Sequence, residues 1–358
     1  MGDWRYALCH SRYAMKANIF YKRGDLDVLE YKEVDEPKLN AGEILIRVRA
    51  CGINHLDIYT REGSHGVKAP LPHIGGLEPS GEVAALGAGV YDWKIGERVL
   101  VGAFTSDGTC ELCLAGHDNL CVNRKIVGVQ VDGGFAEYVK IPASAAVRLP
   151  ENVSYVDASA IPAAFGTAWH MLNFRARVKP GEWVLVLAVG SGVGSAAVQV
   201  AKYLGARVIA TSSSDDKLEM AKSWGADAVI NYSKTPNFQY AVREITNGRM
   251  VDVVFEHVGP TTWKSSIASM RPTGRLVTCG GSSGRWGETD IWGVFWQQLT
   301  LMGSNGCTHR EFYQVLDLYA QGKFRAVIDR TFPLSELRAA QKHLIERKQF
   351  GKVVVVPE

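Results

Sequence analysis

The stretch Trp183-Val184-Leu185-Val186-Leu187-Ala188-Val189-Gly190-Ser191-Gly192-Val193-Gly194 decides the architecture. Its apolar half is too short for a buried helix and reads as a central strand covered on both faces. The glycines then turn the chain into a helix of small residues opening near Val193. A strand, glycine loop and helix in this order allow a tight turn and bring backbone amides close to a diphosphate, which rests on the positive end of the helix. The repeating G-x-G-x-x-G pattern would place its last glycine at 195, where this chain has Ser195.

Working outward, the apolar strand pattern recurs at Arg207 to Thr211, Ala228 to Tyr232, Val251 to Glu256 and Gly274 to Cys279. Segments such as Ala196 to Leu204 and Asp216 to Trp224 carry helical periodicity between them. This alternation implies an α/β fold with a doubly wound parallel sheet of the Rossmann type. Upstream, from Lys16 to about Pro150, short runs such as Ile44 to Val48, Gly81 to Val83, Arg98 to Val101 and Ala136 to Val139 are broken by Gly and Pro, as in a compact β-rich domain. Met15-Lys16-Ala17 begins the first strand pattern, and Met1 to Ala14 is read as an extension without a function. The tail Gly351-Lys352-Val353-Val354-Val355-Val356-Pro357 is a buried-type strand that either domain can claim.

The end of the second strand bears on cofactor choice. An NAD enzyme places a carboxylate there for the ribose 2′-hydroxyl. This strand ends Ile209-Ala210-Thr211-Ser212-Ser213-Ser214, with no acid before Asp215. Ser212, Ser213 and Lys217 are therefore expected to accept a 2′-phosphate, favouring NADP(H) over NAD(H); as an alternative, Ser214 or Asp215 caps the next helix and Lys217 is a solvated helix residue.

At 358 residues the chain is long enough for two domains with a cleft between them. A net charge of +3 from 40 basic and 37 acidic residues leaves no basic stripe for a phosphate backbone, so nucleic acid is not an expected partner. No run of eighteen apolar residues occurs, so no membrane partner is expected and a cytoplasmic location is. Seven cysteines are an odd number for a disulfide framework, and three of them cluster, which points to metal.

With these motifs in hand, the chain resembles the medium-chain dehydrogenase/reductase superfamily, the zinc-type alcohol dehydrogenases and their quinone-reductase relatives. The resemblance runs from Met15 to Glu358 through Cys51-Gly52-Ile53-Asn54-His55-Leu56-Asp57, Gly76-Leu77-Glu78-Pro79-Ser80-Gly81, Gly96-Glu97-Arg98-Val99, the cysteine lobe, Gly133-Gly134-Phe135-Ala136-Glu137-Tyr138, Gly166-Thr167-Ala168-Trp169, the phosphate loop and Gly351-Lys352-Val353-Val354. It implies a GroES-like domain over residues 1–164, continued by 308–358, and a Rossmann NADP(H)-binding domain over 165–307. Cofactor contacts are expected from Gly190, Ser191, Gly192, Val193, Gly194, Val258, Gly280, Asn305 and Lys352. A homodimer or homotetramer is also implied.

Family members with catalytic zinc hold it at positions that fall here on Asn54, Leu77 and the segment Ala163-Ala164-Phe165, which supply no workable ligand. A carbonyl-polarising metal is therefore not expected, although His55, Asp57 and Glu78 stand nearby as an improvised set. The structural zinc lobe of the family falls on Cys110, Cys113 and Cys121, with Asp107 in place of its first cysteine; an Asp-Cys₃ zinc site is expected there, against a vestigial lobe with free thiols.

Without a catalytic metal, Asn54, His55, Tyr59 and Thr167 are the candidates for polar contacts to a small carbonyl substrate. Trp286, Trp292, Phe295 and Trp296 are expected either to wall the pocket, favouring bulky ketones, enones or quinones, or to form a subunit interface. Two rival readings are a zinc alcohol dehydrogenase with unconventional ligands and a non-enzymatic, NADPH-binding protein of the lens-crystallin kind.

Overall fold

A computed structural model of the chain describes residues 14–102 and 104–358; the extension expected from Met1 lies, up to Tyr13, outside the described residues. The downstream sheet is parallel and six-stranded, in the order Ala228–Asn231, Arg207–Ser212, Trp183–Val186, Val251–Glu256, Met270–Thr278, Thr300–Gly303. Its central strands are apolar on both faces because helices cover both, and they divide the core into two clusters, one containing Val184 and Val186, the other Leu185 and Leu187.

Two differences from the sequence reading have local causes. The strand from Trp183 stops at Val186 because Ala188 takes a left-handed backbone, φ +46°, and turns the chain. Thr300–Gly303 adds a sixth strand that sequence reading missed; it is a four-residue edge strand exposed at both ends, so it carries no continuous apolar run.

The upstream unit is a mixed sheet in the order Ala146–Arg148, Arg98–Val101, Glu78–Leu86, Glu43–Gly52, Lys352–Val356, Ile328–Pro333, with Tyr138–Pro142 also on Glu43–Gly52. The tail strand therefore joins the β-rich unit: Val354 and Val355 pair antiparallel with Gly52 and Cys51. The helix His309–Ala320 behaves differently. Its Phe312, Val315, Leu316 and Tyr319 are buried in the same cluster as Val184 and the phosphate-loop helix, and the chain then joins the β-rich sheet through Ile328–Pro333. No helix of the described residues is long and apolar enough to cross a membrane.

All six residues of Val251–Glu256 are buried, including the carboxylate at its end. Glu256 is tolerated because it accepts hydrogen bonds from the Val258 and Gly259 N–H groups at 2.6 and 3.1 Å, from Thr262 Oγ1 at 3.0 Å and from Ser266 Oγ at 2.6 Å. This fan fixes the turn carrying His257 and Val258 at the mouth of the sheet. Glu256→Leu, which leaves these donors buried and unpaired, is expected to destabilise the chain by about 3 kcal/mol, read as a lower denaturation midpoint in urea.

Candidate functional site

The phosphate loop opens the helix Gly192–Tyr203, and Ser191 caps it, its Oγ accepting from the Gly194 N–H at 2.9 Å. The tight turn belongs to Ala188; Gly190, Gly192 and Gly194 are absent from the left-handed positions of the chain. They are needed for closeness instead. A Cβ on Gly194 would stand 2.6 Å from the Ala188 carbonyl oxygen, on Gly190 2.6 Å from Lys217 Cδ and on Gly192 2.6 Å from Lys352 Cδ. This is a cradle with bare amides on a 12-residue helix, which fits a diphosphate.

Around it, Val258 and Gly280 follow the carboxyl ends of neighbouring parallel strands, where a dinucleotide lies in such sheets. Ser212 is buried and its Oγ accepts from the Ser214 N–H at 3.2 Å, while Ser213 is exposed. Asp215 is committed elsewhere, paired with Lys234 at 2.5 Å and with Asn231 at 2.7 Å. Lys217 crosses the loop and donates to the Arg347 carbonyl at 2.8 Å; burial lowers its pKa. Arg347, which sequence reading did not single out, adds positive charge near this groove; burial first, with Arg347 and Lys352 among the charges that add to it, brings the pKa of His55 down to about 4.

Next to the groove lies a cleft of about 200 Å³, lined by residues from both units. Of the four expected catalytic side chains, Asn54 and Thr167 line it; His55 and Tyr59 do not, and Tyr59 stacks on His65 at 3.9 Å. Leu77 and Ala163, two of the ligand-less metal positions, are part of its wall. The aromatic wall does not form. Trp286, Trp292, Phe295 and Trp296 are 81%, 71%, 53% and 77% exposed on the outer edge of the molecule, because the chain between Thr278 and Thr300 crosses outside the parallel sheet. Phe104, Ile126, Leu56 and Phe312 supply the apolar lining instead.

The corner behind Asn54 is filled by a buried ionic knot. Lys352 Nζ donates to Asn54 Oδ1 at 2.8 Å, to the Ile53 carbonyl at 3.2 Å and to the Glu78 carboxylate. Asn54 Nδ2 donates to Glu78 Oε2 at 2.7 Å, and the Ala163 N–H to Glu78 Oε1 at 2.6 Å. The amide that was expected to reach substrate is thus held on both of its atoms, and Lys352 sends only its stem against Gly192. Asp57 accepts from the Asn54 and Gly76 N–H groups at 2.7 and 3.2 Å, and burial pushes its pKa up to about 7. An amide, two aliphatic side chains and an ammonium do not fit a catalytic zinc, and His55, Asp57 and Glu78 do not gather as a ligand cluster among the described residues.

The other metal candidates do come together. One ligand atom from each of Asp107, Cys110, Cys113 and Cys121 lies within 4.8 Å of the rest. Backbone N–H groups of Cys113 and Val122 point at the Cys110 sulfur and lower its pKa; Asp107 Oδ1 accepts from the Thr109 and Cys110 N–H groups at 2.9 and 3.0 Å and is held well below the usual carboxylate range. Donors and geometry fit a tetrahedral divalent ion such as zinc.

The cleft also holds Arg124, Asn305, Thr308 and His309. Asn305 was expected on the cofactor side; its backbone carbonyl accepts from Asn119 Nδ2 at 2.9 Å. The Thr308 segment is fixed by Glu311, whose Oε2 accepts from the Thr308 N–H at 2.8 Å and from His170 at 2.8 Å. Thr308-x-x-Glu311 is a helix-start signature readable in the sequence; the meeting of His309 with Asp118, 191 residues apart at 2.7 Å, has no local signal.

Residues 40–151 match the model of the alcohol dehydrogenase GroES-like domain, and residues 192–321 that of the zinc-binding dehydrogenase. The chain is similar to an alcohol dehydrogenase of Geobacillus stearothermophilus, 33% identical over 91% of this chain and 96% of that protein. It is also similar to the acryloyl-coenzyme A reductase of Metallosphaera sedula, 30% identical over 93% of this chain and 98% of that one. A solved NAD-dependent alcohol dehydrogenase superposes with a TM-score of 0.92 at 39% identity, covering 96% of this chain and 100% of the other.

The Asp57 shift sets a pH dependence. The folded pKa, about 7, lies above the ordinary 3.8, so the folded state holds a proton that the unfolded state has released between these values. Stability therefore falls as pH rises through that window. Compared with Asp57→Asn, the wild-type chain is expected to lose up to about 4 kcal/mol from the bottom of the window to its top, measured by paired urea titrations across the range.

Proposed function

Since the chain belongs to the zinc-type alcohol dehydrogenase family of the medium-chain dehydrogenases and reductases, an oxidoreductase family, we propose that it reduces a ketone, enone or quinone with NADP(H) and without a catalytic zinc. The observation that carries this reading is the corner occupied by Asn54, Leu77, Ala163 and the Lys352 ammonium, where a carbonyl-polarising zinc has no ligands. A bound reduced nicotinamide nucleotide supplies the hydride. The chain positions and shields. Gly190 to Gly194, beside the Lys217 stem, receive the diphosphate, and Thr167 offers its hydroxyl to the oxygen that gains charge. Leu56, Leu77, Phe104, Ile126 and Phe312 keep water from the reacting carbon.

NADP(H) is favoured by the hydroxyls of Ser212 and Ser213 and by the pairing of Asp215 with Lys234, which neutralises the first carboxylate that would repel a 2′-phosphate. Asp107, Cys110, Cys113 and Cys121 hold a structural zinc that stiffens the loop beside the cleft and takes no part in the chemistry. The exposed Trp286, Ile291, Trp292, Phe295 and Trp296, next to the edge strand Thr300–Gly303, form the interface of a homodimer or homotetramer.

Purified protein, with NADPH and NADH run side by side against small ketones, cyclic ketones, enones and quinones, is expected to turn over at least one class faster with NADPH. No fluorescence or calorimetric response to either reduced nucleotide overturns the assignment. Metal analysis after dialysis is expected to give one zinc per chain with activity surviving mild chelation, and Cys113→Ser is expected to lose that zinc and lower the melting temperature; two tightly held zincs would instead support a metal-assisted alcohol dehydrogenase.

A further inference from the structure

Arg124 is a half-buried cation in the wall of the cleft, and none of the ion pairs among the described residues involves it. Asp118, six residues earlier in the same lobe, is taken by His309 Nδ1 at 2.7 Å. A guanidinium held half-buried in the wall of a cleft, with N–H groups not spent on the protein, is a ready partner for an anion.

The hydrogen bonds of Arg124 show which edge is left for it. Nη1 donates to the Asn119 carbonyl, and with the Asn305 amide turned so that its oxygen faces the guanidinium, Nη1 and Nη2 both donate to that oxygen, at 3.1 and 3.3 Å. A guanidinium has five N–H groups. The bonds to Asn119 and Asn305 leave Nε–H and one Nη2–H, the pair that binds a carboxylate side-on with two parallel bonds. Asn119 and Asn305 also brace each other, Asn119 Nδ2 donating to the Asn305 carbonyl at 2.9 Å, so the fork is held rather than free to swing.

We propose that Arg124 is the anchor of an anion subsite in the cleft, and that the substrate is a small carbonyl or conjugated carbonyl compound bearing a carboxylate. The assignment rests on the reductase reading above and narrows its substrate class. Arg124 binds the carboxylate, the apolar walls hold the carbon chain, and the reducible carbon is presented on the side of Thr167.

The test uses the full-length enzyme with NADPH and two substrates of matched skeleton, 4-oxopentanoate and its neutral methyl ester. The wild-type enzyme is expected to prefer the acid. In Arg124→Met the ratio of kcat/KM for acid over ester is expected to fall by roughly thirtyfold, the worth of a charged, hydrogen-bonded pair; Arg124→Lys, which keeps the charge and loses the fork, is expected to recover part of it. An unchanged ratio in Arg124→Met, or a wild-type enzyme with no preference for the acid, overturns the subsite. If neither compound is reduced, calorimetry on the enzyme–NADP⁺ complex still decides it: binding of 4-oxopentanoate that is lost in Arg124→Met and retained in Arg124→Lys upholds the subsite, and no binding to wild type overturns it. Turnover failure alone counts against the reductase reading, not against the anchor.

Discussion

The ammonium of Lys352, buried against the Glu78 carboxylate and the Asn54 amide, is the contact on which the two units of the molecule depend. The three residues come from different places: Asn54 at the start of the helix His55–Glu62, Glu78 on the strand Glu78–Leu86 and Lys352 on the tail strand Lys352–Val356. Its stem lies on Gly192 in the phosphate loop, and the neighbouring Gly351 N–H donates to the Gly190 carbonyl at 2.9 Å. One residue thus ties the β-rich sheet to the nucleotide loop and closes the back of the cleft. Such a buried pair need not add net stability, since desolvation offsets much of the attraction, but losing either partner would strand a charge at a cost of about 3–5 kcal/mol.

That arrangement explains how a corner associated with metal can lack one and remain ordered. Glu78 would be an uncompensated buried anion without a cation beside it. Lys352 supplies the cation and Asn54 bridges the pair, so the site keeps its charge balance while Leu77 and Ala163 present only hydrocarbon to the cleft. The consequence is a pocket whose inner end is apolar and whose remaining charge sits at Arg124, near the cysteine lobe.

Legibility in the sequence followed the distance over which each feature is encoded. The metal lobe spans Asp107 to Cys121; its clustered cysteines pointed to metal and the family resemblance added Asp107, and the fold gathers all four. The parallel strands were readable because burial on both faces leaves an unbroken apolar run, and Val251–Glu256 has the bounds that pattern gives. Thr300–Gly303 was not readable, because an edge strand is half solvated and as short as a turn. The aromatic run from Trp286 to Trp296 was ambiguous for a related reason: composition shows that such residues seek a partner, not whether that partner is a ligand or another surface.

The cleft itself was the least legible part, and the reason is geometric. Asn54, Glu78 and Lys352 are separated by 24 and 298 positions, as Asp118 and His309 are by 191, so no window of sequence contains a site. Motif position could say that Asn54 replaces a ligand; it could not say that both atoms of its amide would be spent inside the protein. Arg124 illustrates the same limit from the other side. On a solvated loop an arginine three residues after a cysteine means nothing, and only the fold, which half-buries it in the cleft wall beside Asn119 and Asn305 with part of its fork unspent, makes it a partner for an anion.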